Sequence, residues 1–198
     1  MVSISIKNKL GIFVLAASLL IFSGLFIYMT KLTGDIEKSV FDKTAKNLVY
    51  MMNEKLNAKD SLGLTNALAV VNDEKIVNAL LSGDRELAAK SLQKLAEDFK
   101  ANTDLKNVQI HIHTAALKSF LRAWNPKKYG DDLSSFRFSL HELKKTQKPM
   151  VVFEIGFAGL SHRAIVPIIH NGQYIGSMEF IQGVNSIVNE LAENDVSL

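Results

Sequence analysis

Residues 150–182 read MVVFEIGFAGLSHRAIVPIIHNGQYIGSMEFIQ, and their pattern decides the fold. Three apolar, β-branched runs stand here, Met150 to Phe157, His162 to His170 and Gln173 to Gln182. Asn171-Gly172 joins the last two, a strong signal for a two-residue hairpin because both residues tolerate positive φ. The spacing therefore predicts three antiparallel strands. Upstream, Val108, Ile110 and Ile112 alternate with Gln109, His111 and His113, which is strand periodicity beginning at Asn107. Ser119 to Trp124 is a second strand candidate, and Leu133 to Lys145 reads as a short helix stopping near Lys148-Pro149.

Earlier in the chain the period changes from two to helical. Leu32 to Lys59 carries apolar residues at Ile36, Val40, Leu48, Met51, Met52 and Leu56 with charges between them, and no proline. Asp60 to Asn72 continues with mixed helical character. Asp73 to Leu81 is a short helix closed by Ser82-Gly83, and Asp84 is placed to cap a helix over Arg85 to Phe99. Asn185 to Asn194 reads as a closing helix. Helices leading into five strands predict an α+β domain around an antiparallel sheet.

Leu10 to Thr30 contains no charged residue, which is long enough to cross the hydrocarbon core as a helix. Lys7 and Lys9 precede it and Lys31 follows. The short basic tail favours the cytoplasmic side, with the rest outside. A cleaved signal peptide is the alternative, but no Ala-x-Ala motif ends the run. The expected organisation is a cytoplasmic tail (1–9), a transmembrane helix (10–30), a single extracytoplasmic domain (31–184) and a closing helix (185–198) leading towards a second span that the chain does not include.

Composition narrows the function. The net charge of +3 gives no basic stripe for nucleic acid. The absence of cysteine excludes disulfides, thiolate metal sites, covalent haem attachment and a cysteine nucleophile. No nucleotide-binding glycine loop, Gly-x-Ser-x-Gly elbow or HExxH motif is present, so no enzyme is expected. The expectation includes no cofactor.

The polar residues on the strands are the candidates for binding. Arg122 is expected to share a strand face with Phe120 and Trp124, while Glu154 stands opposite Val151, Phe153 and Ile155. Arg163 and Glu179 interrupt apolar strands. Buried charges are costly unless paired. Two accounts fit: Arg–Glu pairs holding the sheet, or an arginine fork receiving a carboxylate or other small anion. The connection KKYGDDLSSFR supplies Tyr129, Asp131, Asp132 and Arg137, suited to a lid over the sheet, or to a helix start capped by one aspartate. His111 and His113 point to one strand face and could hold a metal or haem, or simply bond to their neighbours.

FLRAWNPKKYGDDLSSFR and FEIGFAGLSHRAIVPIIHNGQYIGSMEF together resemble the Cache family of extracellular sensor domains. The matching features are Arg122, Pro126, residues 129 to 132, Arg137, Glu154, Gly159-Leu160, Arg163, Pro167, Asn171-Gly172, Gly176 and Glu179. The resemblance implies a PAS-like sheet, a long helix continuing from the membrane span, dimerisation through that helix, and a small-molecule pocket on one sheet face. It implies the ligand-sensing part of a bacterial transmembrane receptor of the chemotaxis or sensor-kinase type. A short carboxylate would be held by Arg122 and Arg163, with Tyr129, His113 and Trp124 shaping the pocket. Asp132, Arg137, Glu154 and Glu179 complete the candidate ligand-binding set. Recognition of a periplasmic protein partner is the alternative, in which the same arginines and glutamates pair with one another; a metal or haem site at His111 and His113 is another.

Overall fold

The structure, a computed structural model, describes residues 5–102, 109–156 and 159–183. The closing helix expected at 185–194, the strand start at Asn107 and Val108, and Phe157 lie outside them. The chain forms two units, 1–53 and 54–198, described separately below.

Helix α1 spans Ile6–Val71, so the expected membrane span and the two helical stretches after it form one element. Its apolar part has a mean hydropathy of 2.6 over its best window and is not buried within the protein, long and apolar enough to cross a membrane. The hydroxyls of Ser18, Ser23 and Thr30 donate back to carbonyls one turn earlier, at 2.9–3.0 Å. Polar side chains are thereby satisfied inside the helix, as an apolar environment requires.

In the second unit the last turns of α1 meet α2 (Glu74–Ser82) and α3 (Arg85–Asn102). Asp73 accepts from the Lys75 backbone N–H and Asp84 from that of Leu87, each filling a donor that a helix start leaves orphaned. Gly83, at φ 76°, ends α2 in the left-handed conformation that glycine adopts without steric cost.

The sheet contains β1 (Gln109–Thr114), β2 (Ser119–Arg122), β3 (Met150–Gly156), β4 (Gly159–His170) and β5 (Gln173–Gln182), with α4 (Phe138–Thr146) between β2 and β3. The order is β2-β1-β5-β4-β3, with antiparallel pairing throughout. This is the α+β, Cache-like fold that the sequence predicts. One face presents Ile110, Ile112, Leu121, Ala164, Val166, Met178 and Phe180 to Ala67, Val70, Ile76, Ala79, Ala88 and Leu92 of the three helices. The opposite face packs Ile165 against Leu117, Leu133, Leu140 and Leu143 beside α4. The remainder of that second face is polar.

Two expectations are corrected. The helix expected from Leu133 starts at Phe138. Leu133 is instead drawn into the sheet margin, its N–H bonding to Leu117 O at 3.1 Å, while Asp132 caps a turn at Ser134 rather than a helix. Phe120 does not share a face with Arg122. The β1–β2 register shifts between Ile112 and His113, pairing Leu121 with Ile112 but Ser119 with His113. The extra residue is Phe120, which turns into the core facing the helices. A bulge of this kind breaks the period-two rule.

Candidate ligand-sensing site

Cross-strand pairing assembles the polar face. His111 pairs with Arg122 on one side and Glu179 on the other, and His113 pairs with Ser177 and, through the bulge, Ser119. Glu179 pairs with Ile165, two residues from Arg163, and Val152, beside Glu154, pairs with Arg163. Paired residues point to the same side of a sheet. Arg122, His111, His113, Glu179, Arg163 and Glu154 therefore all face away from α1–α3.

Glu179 lies at the centre and is fully buried. Its Oε1 accepts from Arg163 Nη1 at 2.9 Å, Arg137 Nη1 at 3.1 Å and His111 Nδ1 at 3.0 Å. Its Oε2 accepts from Arg137 Nη2 at 2.5 Å. Arg137 reaches this point from the turn before α4, and its Nε donates to Glu154 Oε2 at 2.6 Å. Ser139 Oγ donates to the same oxygen at 2.7 Å. Burial by itself would raise the Glu179 pKa, but hydrogen bonds from His111 and His113, with Arg137 alongside, hold it well below the usual carboxylate range.

The two imidazoles are neutral. Burial pushes His113 down to about 3 and lowers His111 as well, outweighing the pull of Glu179. Their contacts with Glu179 are thus hydrogen bonds of uncharged rings. The partners assign the tautomers: His111 Nδ1–H donates to the Glu179 carboxylate, leaving Nε2 to accept from Ser119 Oγ at 2.8 Å. His113 Nε2 then faces His111 Nδ1 at 3.0 Å, and its Nδ1 meets Ser177 Oγ at 3.0 Å. Tyr174 brings its hydroxyl beside Ser177, and burial raises its pKa.

Arg122 belongs to a separate pair. Its Nη1 and Nη2 grip Asp131 Oδ1 and Oδ2 at 2.8 and 2.5 Å, and Nη1 also donates to Lys128 O at 2.9 Å. This hydrogen-bonded fork lowers Asp131 to about 2. Trp124 leaves the strand beside it and sets its ring edge-on to His111, 5.7 Å between centroids. Tyr129 is exposed, with the Arg85 guanidinium 3.1 Å from its ring centroid. Asp132 is also exposed and serves Ser134, away from the cluster.

The structure thus gathers His113, Arg137, Arg163, Glu154 and Glu179 in one network, places Arg122 and Trp124 at its edge, and leaves Tyr129 and Asp132 on the outer side of the connecting loop. Sequence reasoning left Ser119, Ser177 and Tyr174 out of the site. The i, i+2 spacing of Ser177 and Glu179 on β5 is a signal for one of them, while the bulge hides Ser119. Charge is balanced: Arg122, Arg137 and Arg163 face Asp131, Glu154 and Glu179. Donors are not. Arg163 is buried, yet its Nε–H meets no acceptor among the described residues.

Residues 42–196 match a family described as the double sensory domain of two-component sensor kinase. The fold resembles the sensor domain of the V. cholerae histidine kinase DctB, with a TM-score of 0.59 at 10% identity over 74% of this chain and 57% of that one. It also resembles the ligand-binding domain of the Campylobacter jejuni chemoreceptor Tlp3 in complex with L-valine, with a TM-score of 0.55 at 14% identity over 78% of this chain and 66% of that one. The isoleucine-bound Tlp3 sensory domain gives a TM-score of 0.55 at 15% identity, over 78% and 65%. The chain therefore spans less than two thirds of these structures. No curated protein matches the sequence.

Proposed function

The chain belongs to the family of double sensory domains of two-component sensor kinases, and on that premise we propose that it is the ligand-sensing part of a bacterial transmembrane receptor. It senses a small anionic metabolite with a single sheet unit, held outside the cytoplasmic membrane by α1. The observation that carries the anion is Arg163: a buried guanidinium with an N–H that has no acceptor among the described residues, on a face walled by neutral histidines and hydroxyls. A buried donor without a partner costs free energy, and a carboxylate oxygen supplies the missing acceptor. The ligands named for the Tlp3 structures, valine and isoleucine, each carry a carboxylate.

Two contacts carry the signal from the sheet to α1. His162 Nε2 bonds to Asp60 Oδ1 at 2.5 Å, and Gln182 Nε2 donates to Lys59 O at 3.1 Å. His162 directly precedes Arg163, so a ligand held by Arg163 acts one peptide away from the helix anchor. Two copies pair through the exposed apolar side chains of α1, including Ile36, Val40, Val49 and Met52. The Tlp3 likeness supports a chemotactic output and the DctB likeness a kinase output in equal measure.

The test is calorimetry of the whole chain in detergent micelles against short mono- and dicarboxylates. Arg163→Lys keeps the charge opposite Glu179 and removes the Nε donor. Binding at least tenfold weaker in this variant is expected. If no carboxylate binds, the anion reading fails; if Arg163→Lys binds as well as the parent, Arg163 is not a contact of the anion.

One observation favours a second reading. Glu179 adds a carboxylate to His111 and His113, and the three donor atoms lie within 4.8 Å of one another. Against a metal ion stand Arg137 and Arg163, which already occupy the same oxygen. A divalent ion there would leave two excess positive charges buried. Metal analysis of the purified chain separates the readings: one bound zinc or other divalent ion per chain replaces the anion with a metal.

A further inference from the structure

Resting on the anion-sensing reading above, the geometry points to Arg122 as a second carboxylate receptor beside Arg163, and we propose that Asp131 occupies it as an internal stand-in which a ligand carboxylate must displace. The grip on Asp131 is the two-pronged geometry with which arginine receives a free carboxylate. Arg122 is already paired, so an anion reaches it only in exchange for Asp131. An anion that exchanges for Asp131 keeps Arg122 paired and releases the aspartate, whose side chain is about a third exposed, to solvent.

The surrounding backbone is built for such an exchange. Asp131 is fastened to the edge of β2, where Ser119 N–H donates to Asp131 O at 3.0 Å and Gly130 N–H to Ser119 O at 2.8 Å. Gly130 makes this approach at φ 83°, in the left-handed region. The aspartate side chain can therefore swing out while its backbone stays in place. The preceding loop, 124–129, is held by backbone bonds from Asn125 N–H to Arg122 O at 3.0 Å and from Lys128 N–H to Asn125 O at 3.1 Å. Arg122 holds it from inside through Lys128 O, and Arg85 holds it from outside through Pro126 O at 2.5 Å and the Tyr129 ring. Arg85 Nε also bonds to Phe120 O at 3.0 Å, the bulged residue of β2. Arg85 is the first residue of α3, so the outer anchor of the loop belongs to the helical layer. Displacing Asp131 changes what Arg122 holds, two residues from Trp124 and its edge contact with His111. Trp124 is the only tryptophan in the chain, which makes the motion visible.

The experiment uses the whole chain in detergent micelles, with sodium acetate and sodium formate as probes and sodium chloride at equal ionic strength as the control. Asp131→Ala vacates the receptor. Its thermal midpoint should fall below the parent's and recover with acetate or formate but not with chloride. The double variant Arg122→Ala/Asp131→Ala should show no recovery. Asp131→Asn removes the charged competitor, so any carboxylate that binds the parent should bind it about tenfold more tightly, the factor expected when a mostly closed state no longer opposes binding. Tryptophan emission of the parent should shift to the red on binding. Equal responses of Asp131→Ala to acetate and chloride overturn the exchange, while binding dependent on Arg163 would leave the anion reading intact. Rescue of Asp131→Ala combined with a parent that binds no carboxylate overturns both, because the aspartate then never yields.

Discussion

Four hydrogen bonds from cationic and imidazole donors converge on Glu179, and none of its surface reaches water. Removing one member of such a cluster leaves buried charge without compensation, which costs more than the pair contributes over an apolar equivalent. Glu179→Gln keeps the shape and strands two guanidiniums against Glu154 alone. Its unfolding free energy should drop by about 3–5 kcal/mol in denaturant titrations, and a loss below 1 kcal/mol would show the cluster to be solvated. The histidines set the acid limit. His113 titrates near 3 in the fold and near 6.5 when unfolded, so its contribution is whole above pH 6.5 and is lost as the pH falls towards 3. Over that window one proton taken up on unfolding costs about 1.4 kcal/mol per pH unit. Asp131, lowered to about 2, behaves differently. Its pairing with Arg122 is fully present above its ordinary value of 3.8 and fades only as the pH drops through 2. Thermal midpoints between pH 7 and 4.5 should fall for the parent and fall less for His113→Asn, with the Arg122 pair contributing nothing to the slope.

Two close approaches tie the elements to the site. A Cβ on Gly176 would stand 2.3 Å from His113 O and 2.8 Å from Leu80 Cδ2, so β5 can pass β1 and α2 here only without a side chain. A Cβ on Gly63 would meet Ala164 Cβ and Gln182 Nε2, both at 2.9 Å, where α1 crosses β4 and β5. Gly63→Ala should cost about 1–3 kcal/mol, the usual penalty of overpacking. Gly176→Ala should cost more, because a backbone carbonyl yields less than a side-chain end, and it should also disturb His113. Denaturant unfolding of the two variants ranks them. The elements themselves were legible in sequence: β5 was read to the residue from the Asn171-Gly172 turn, and the starts of α2 and α3 from Asp73 and Asp84, because those signals are local. The partners within the site were not local. Period two put Arg163 and Glu179 among apolar neighbours but could not say that Glu179 lies across from His111, since that depends on β5 sitting between β1 and β4. Period two also puts Arg122 on a face with Phe120, because one inserted residue is invisible to a periodicity count. Arg85 gave no sequence signal for its hold on the loop, 35 and 41 residues away.

At the scale of the whole molecule, the proposed function requires the sheet unit and the first residues to lie on opposite sides of a membrane. The uncharged run from Leu10 to Thr30 is flanked by Lys7 and Lys9 on one side and Lys31 on the other, and the hydroxyls of Ser18, Ser23 and Thr30 are satisfied within the helix. Placing those twenty-one residues in lipid recovers apolar surface that water would otherwise cover, and the two leading lysines bias the tail inward. The chain contains no cysteine, so a single introduced thiol reports its own location. Lys148→Cys lies at an exposed position after α4, and Ser3→Cys marks the tail. With a membrane-impermeant maleimide on intact cells, Lys148→Cys should label fully and Ser3→Cys only after lysis. Reversed labelling would place the sheet unit in the cytoplasm, where an external metabolite cannot reach Arg122 or Arg163. Disappearance of the Ser3→Cys thiol from the mature protein would make the apolar run a cleaved signal, and the coupling from His162 through Asp60 to the membrane would have no span to act on.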